Sequence, residues 1–377
     1  MQVSRRSFFR RIGAGAVATA AIPALDSFAL ARGLAFTRAK QPGGPILLDR
    51  NENAYGPSPK VIAAIRDAAG SFNRYPRSTE EMEERLAHLH GVQRDQVVLT
   101  CGSGEVLRMA AEAFLGPGKK LVEPVPTFEA LGKHAKNAGA EVVEVPLTKT
   151  YAHDLPAMLR NADAATGLVY ICNPNNPTGS LTPREEIEDF LRKVPAGTHA
   201  LIDEAYHHYV GASSSYASFL DRPVSDPRVI VARTFSKIYG LAGLRVGYAV
   251  AAPEVARKLA EERLPVGVNI LGMQAASVVL DDTEHVRETA ERSRNDRQEF
   301  MNQANDRMLR AIDSHANFVL LESGRRVDEV LEFFKKNSII LGRRIPSMEK
   351  YVRVSLGTPD EMSEFWRVWD MFLPHKM

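Results

Sequence analysis

The sequence predicts an α/β protein, with a large domain carrying a mostly parallel sheet between helices and a smaller α+β domain after it. Two observations carry this expectation. Short β-branched runs alternate with helical patterns between residues 96 and 251, the order that builds a parallel sheet covered on both faces. From about residue 285 the pattern changes to one long charged helix followed by short, spaced strands.

The elements follow in chain order. Residues 1–31 begin with a basic stretch around Arg5-Arg6-Ser7-Phe8-Phe9. An Ala/Gly-rich apolar run to Ile22 and the small-residue string Ala29-Leu30-Ala31 follow. A basic front, apolar middle and small-x-small end form the pattern of an export signal, here of twin-arginine type. Pro23 and Asp26 interrupt the apolar run, so it is short for a membrane span. Residues 32–60, rich in Pro, Asn and Gly from position 42 on, read as an extended arm. The large domain is expected over 61–284, with strands at 96–100, 120–122, 141–145, 167–172, 200–203, 229–232 and 246–251 and helices at 105–114 and 183–191. The small domain is expected over 285–377, with a helix at 286–309 and strands at 317–321, 338–341 and 352–355.

Composition excludes several classes. Hydrophobic residues make up 44% and charged residues 25% of the 377 residues, ordinary values for a folded globular chain. A net charge of +2 offers no basic surface excess for nucleic acid. Cys101 and Cys172 are the two cysteines. They fall at strand ends, where a small buried thiol is common, and no bridge is expected. Metal-ligand spacing of Cys and His is absent, and His207-His208 alone do not make a site.

Polar strings recur at the carboxyl ends of the expected strands, where open α/β sheets bind ligands. They are Gly102-Ser103-Gly104, the string Asn173-Pro174-Asn175-Asn176-Pro177-Thr178-Gly179, then Asp203-Glu204-Ala205-Tyr206, then Thr234-Phe235-Ser236-Lys237 with Arg245 beyond it. Singly, each has an ordinary reading: a turn before a helix, a rigid loop, a helix cap, a solvated lysine. Together, one after another on successive strands, they describe one composite site.

In that order the strings resemble the fold-type I, class I/II aminotransferase family, which depends on pyridoxal 5′-phosphate (PLP), and within it the histidinol-phosphate aminotransferase-like group. Asn51-Glu52-Asn53-Ala54-Tyr55-Gly56, Arg74-Tyr75-Pro76, Gly243-Leu244-Arg245-Val246-Gly247 and Arg353-Val354-Ser355-Leu356-Gly357-Thr358 extend the likeness over residues 47–358. The resemblance implies the PLP-dependent transferase fold and assigns expected roles. Lys237 would form the Schiff base with PLP and move the substrate proton. Asp203 would keep the pyridine nitrogen protonated, so that the ring withdraws electrons. Asn176 and Tyr206 would bond the phenolic oxygen. Ser103, Gly104, Ser236 and Arg245 would hold the phosphate, using a helix N-terminus and a guanidinium fork. Tyr55 would reach the phosphate of a neighbouring subunit, implying a homodimer, and Phe128 would stack on the ring. Arg353 would clamp the substrate α-carboxylate.

Arg343 is a further substrate-binding candidate. The string Ile340-Leu341-Gly342-Arg343-Arg344 leaves the register of a phosphate-binding arginine open by one residue. The implied reaction moves an amino group between an amino acid, or a histidinol-phosphate-like amine, and a 2-oxo acid. A PLP decarboxylase or lyase on the same scaffold, or a non-catalytic PLP-binding module, would use the same cofactor residues. With the leader, the expectation is an exported, periplasmic enzyme that engages the twin-arginine machinery as a folded, cofactor-loaded protein.

Overall fold

The computed structural model describes residues 44–221 and 226–372. The expected leader lies outside the described residues. In chain order the elements are β1 (Ile46–Leu48), α1 (Pro59–Ala68), α2 (Glu80–His90), β2 (Val97–Thr100), α3 (Ser103–Phe114), β3 (Lys120–Val125), α4 (Ala130–Asn137), β4 (Glu141–Pro146), α5 (Leu155–Asn161), β5 (Thr166–Cys172), α6 (Arg184–Lys193) and β6 (His199–Asp203). They continue with β7 (Val229–Thr234), β8 (Gly247–Ala251), α7 (Pro253–Glu261), α8 (Ile270–Asp281), α9 (Thr283–Asp306), β9 (Phe318–Glu322), α10 (Val327–Lys336), β10 (Ile339–Leu341), β11 (Tyr351–Ser355) and α11 (Pro359–Phe372).

Local chemistry sets several boundaries. Ser58 caps α1 by accepting from the Val61 amide at 3.3 Å, and Pro59 opens the helix where its missing N–H is harmless. Helix α2 carries Glu80, Glu81 and Glu83 in its first turn and ends at Gly91, whose φ of 64° suits a residue without Cβ. Helix α6 has Glu185 and Glu186 at its start and Arg192 and Lys193 at its end, which complements the helix dipole.

The large sheet has the order β2-β8-β7-β6-β5-β3-β4. Only β8 runs antiparallel to its neighbours β2 and β7; the other pairs are parallel. Because the central strands are buried on both faces, they read as continuous apolar runs. One face packs Met82, Leu86, Ile187, Phe190, Ala275 and Val279 against the sheet, from α2, α6 and α8. The other packs Val106, Leu107, Leu131 and Leu259, from α3, α4 and α7. Alternation along β6 and β7 therefore sends Leu201 and Ala232 to one core and Ile202 and Val231 to the other.

The C-terminal part packs α9, α10 and α11 on two two-stranded sheets, β9 with β11 antiparallel and β1 with β10 parallel. Phe300, Phe334, Phe365 and Trp369 form its aromatic centre, and Leu48 is buried in the same cluster. The segment read as an arm thus supplies β1 to the small sheet, then crosses towards the large sheet before α1 begins. Three apolar residues next to a proline carry too little pattern to signal a strand whose partner lies some 290 positions away. The described residues form one compact unit. Among the described residues no helix is long and apolar enough to cross a membrane.

Candidate active site

The polar strings meet at the carboxyl end of the large sheet, against the small sheets. Lys237 follows β7. Its Nζ donates to the backbone carbonyls of Arg50 and Asn51, each at 3.0 Å. Burial, then the nearby Arg353 charge, pulls its pKa down to about 7, because both penalise the ammonium form. Asp203, the last residue of β6, is 3% exposed. Its Oδ2 accepts from the Tyr170 hydroxyl and its Oδ1 from the Ala205 amide, both at 3.0 Å. Burial raises its pKa to about 6, and these two hydrogen bonds only partly offset the rise.

Asn176 and Tyr206 are in contact. The Asn176 amide donates to the Tyr206 hydroxyl at 3.4 Å, while its carbonyl oxygen accepts from Arg353 Nη1 at 2.7 Å. Asn176 therefore joins the Tyr206 side of the site to the Arg353 side. Burial pushes the Tyr206 phenol up, and Lys237 Nζ stands 5.6 Å from the centre of its ring. Arg353 Nη2 donates to the Asp49 carbonyl at 2.6 Å. Its Nε is buried and has no hydrogen-bond partner among the described residues.

Ser103 and Gly104 begin α3. Gly102, with φ of 79°, precedes them, and a Cβ there would lie 2.3 Å from Arg245 Nη2. A Cβ on Gly247 would lie 2.3 Å from the Ser103 amide nitrogen. Two glycines thus let a helix N-terminus, strand β8 and a guanidinium crowd together. Arg245 itself sits in the left-handed region, at φ 56°, unusual for a side-chain-bearing residue and typical of functional sites. Its Nη1 donates to Ser236 Oγ (3.2 Å) and the Ala242 carbonyl (3.0 Å). No carboxylate forms an ion pair with it among the described residues. Phe128 is half-buried on the neighbouring loop, which is tied to the Asn173–Gly179 string by Thr127 Oγ1 donating to Asn175 Oδ1 (2.8 Å) and Asn175 Nδ2 donating to the Pro126 carbonyl (3.0 Å).

Two further expected residues are engaged in pairs of their own. The Tyr55 hydroxyl donates to Asp296 on α9 at 2.8 Å. Arg343 forms an ion pair with Glu129, beside Phe128. His207 and His208 line a separate cavity of about 230 Å³ with His90, Arg233, Tyr239 and Tyr248, and burial lowers the pKa of both histidines. Cys101 and Cys172 are free thiols.

Three residues carry more of the site than the strings alone indicate. Asn51, at φ 53° and 1% exposed, donates to the Tyr206 hydroxyl (2.9 Å) and offers its own carbonyl to Lys237 and to Asn317 Nδ2 (3.1 Å). Its place in the Asn51–Gly56 string was the available signal. Tyr170 lies two residues before the end of β5, on the face that Asp203 shares; a phenol inside an otherwise apolar strand was its signal. Asn317 had no distinguishing pattern.

A buried carboxylate beside a lysine of lowered pKa, together with a helix N-terminus and an arginine that no carboxylate pairs among the described residues, suits an anionic ligand and an amine. The comparisons with known proteins agree. The family model for aminotransferase class I and II matches residues 44–368. The chain is 38% identical to a histidinol-phosphate aminotransferase of Symbiobacterium thermophilum, over 85% of this chain and 88% of that protein. It is 36% identical to one of Moorella thermoacetica, over 85% and 84%. Among solved structures, histidinol-phosphate aminotransferase of Sinorhizobium meliloti in complex with pyridoxal-5′-phosphate superimposes with a TM-score of 0.81 at 26% identity, covering 94% of this chain and 100% of that one. The chain belongs to the class I and II aminotransferase family. It is a PLP-dependent transaminase on the type I fold.

The residues present fit the cofactor. Arg245, Ser236 and the α3 N-terminus offer donors to a phosphate. Asp203, buried with neutral partners, offers a carboxylate to a pyridinium, and Lys237 offers an amine.

Proposed function

We propose that the substrates are an α-amino acid and a 2-oxo acid, each held through its α-carboxylate by Arg353. The observation that carries this is the buried, unpartnered Nε of Arg353, on a guanidinium anchored to Asn176 and Asp49. A buried donor without an acceptor is costly, and a carboxylate supplies the missing acceptor with charge assistance.

Bound PLP supplies the electron sink for the reacting carbon. The chain supplies the rest. Asp203 would keep a proton on the ring nitrogen by presenting a negative charge in a dry pocket. Asn176 and Tyr206 would orient the phenolic oxygen, and Asn51 orients Tyr206. Lys237 Nζ, with a pKa near 7, is neutral often enough to accept the substrate Cα proton and basic enough to hold it. The α3 N-terminus and Arg245 would hold the phosphate.

We further propose that the enzyme works as a homodimer, with Tyr55 completing the neighbouring site. Phe72 and Tyr75, 74% and 78% exposed, are two large side chains available to a partner. The leader pattern supports export to the periplasm by the twin-arginine route, which Arg5→Lys/Arg6→Lys tests by cell fractionation; undiminished export in the double variant overturns it.

The test of the substrate reading follows the visible PLP band and keto-acid product as single amino acids are added. Arg353→Lys is expected to raise KM for amino acids roughly 100-fold or more, while histidinol phosphate, an amine without an α-carboxylate, shows no comparable change. Equal losses for both overturn the carboxylate assignment. Carbon dioxide release in place of keto acid indicates the decarboxylase chemistry instead.

A further inference from the structure

We propose that Glu129 is a specificity-determining residue that holds Arg343 in a closed ion pair, so that the enzyme selects substrates with uncharged side chains and disfavours those ending in phosphate or carboxylate. This rests on the reading that Arg353 fixes the α-carboxylate, because the side chain then extends from that point.

The geometry places the pair at that point. Glu129 adjoins Phe128 on the large-sheet side. Arg343 adjoins Gly342, whose amide donates to the Arg353 carbonyl at 3.1 Å. A Cβ on Gly342 would stand 2.7 Å from that carbonyl oxygen and 3.2 Å from Arg353 Nε. The chain before Arg343 therefore lies directly on the substrate clamp. The Arg343–Glu129 pair joins the segment next to the clamp to the segment that carries Phe128, and both charges act on Arg353.

The pair is also self-satisfied. Glu129 Oε2 meets Arg343, while Oε1 accepts from Lys133 Nζ at 3.0 Å. Burial opposes ionisation of Glu129, yet the hydrogen bonds from Arg343 and Lys133 hold its carboxyl below the ordinary range; it is charged at neutral pH. Arg343 is 59% exposed and Glu129 38%, so the pair is weak as a stabiliser. Its effect is on the local field. An incoming anion must share Arg343 with an existing carboxylate or displace it, and like charges at contact repel even near solvent. A neutral side chain meets no such penalty.

The experiment compares isosteric pairs, glutamate with glutamine and histidinol phosphate with histidinol, on the PLP-loaded protein. The ratio of kcat/KM, neutral over anionic, is expected to fall about tenfold in Glu129→Gln, with the change residing in KM. Arg343→Gln is expected to lower the anionic member further. Calorimetric binding of glutarate gives the same comparison without turnover, tighter in Glu129→Gln than in wild type. A ratio and a glutarate affinity both unchanged within twofold in Glu129→Gln overturn the proposal. Failure of the Arg353 reading shows separately, as insensitivity of every amino acid to Arg353→Lys. An unchanged thermal midpoint in Glu129→Gln separates selectivity from lost folding.

Discussion

Asp203 and Glu204 are consecutive in the chain and both buried, yet their surroundings are opposite. Strand alternation sends them to opposite faces of the sheet. Glu204 accepts from Arg233 Nε at 2.8 Å, from Ser218 Oγ at 2.7 Å and from the Phe219 amide at 2.7 Å. Arg233 in turn donates to Ser218 Oγ at 2.7 Å. This is a closed network: burial disfavours the guanidinium, and the Glu204 carboxylate holds it protonated. Among the described residues Asp203 receives only a phenol and an amide, and its carboxyl is pushed up to about 6. The difference separates a carboxylate used for folding from one kept available for a ligand.

The largest expected effect breaks the closed network. Glu204→Gln leaves Arg233 buried without its counter-charge and should destabilise the protein by about 3–5 kcal/mol, seen as a lower denaturation midpoint. The fraction that remains folded should keep a normal PLP band.

Asp203→Asn should act in the opposite sense. It removes the charge proposed to keep the ring nitrogen protonated, and so is expected to lower kcat by about 10²–10³-fold, while relieving a buried charge in the apoprotein. An apoprotein no more stable at pH 8 than the wild type would erase the contrast with Glu204.

The same contrast has a pH signature. An acid whose folded pKa is raised favours folding fully below its unfolded value, near 3.9, and that contribution is lost as pH rises through about 6. The stability of wild-type apoprotein relative to Asp203→Asn should therefore fall by on the order of 3 kcal/mol between pH 4 and pH 8. Urea titrations at each pH measure it.

Lys237 titrates in the same pocket. Only the neutral amine can attack the cofactor aldehyde, so PLP uptake by apoprotein should quicken about tenfold per pH unit below about 7 and then level off. A profile rising steadily to pH 10 would mean that the burial of Lys237 does not lower its pKa.

The smallest effect concerns Tyr170. Tyr170→Phe removes one hydrogen bond to Asp203 and should lower kcat about fivefold, the equivalent of about 1 kcal/mol. Stopped-flow rates of the first half-reaction resolve it.

The sequence alone was enough for the α/β class, the strand ends and the strings at them, because buried parallel strands are continuous apolar runs and chemistry-bearing residues cluster where those runs stop. It identified the family through strings whose order does not depend on the intervening loops. It also named Asp203 without separating its role from that of Glu204, since the two differ only in which face of the sheet each meets. Tertiary structure alone decided what lies far apart in sequence: Leu48 in the C-terminal core, Asn51 between Lys237 and Tyr206, Tyr170 beneath Asp203, and Glu129 against Arg343. No periodicity encodes such pairings, because a side chain's partner across a packed interface is set by how whole layers dock. Short polar side chains look alike in sequence until that docking buries some and leaves others facing the site.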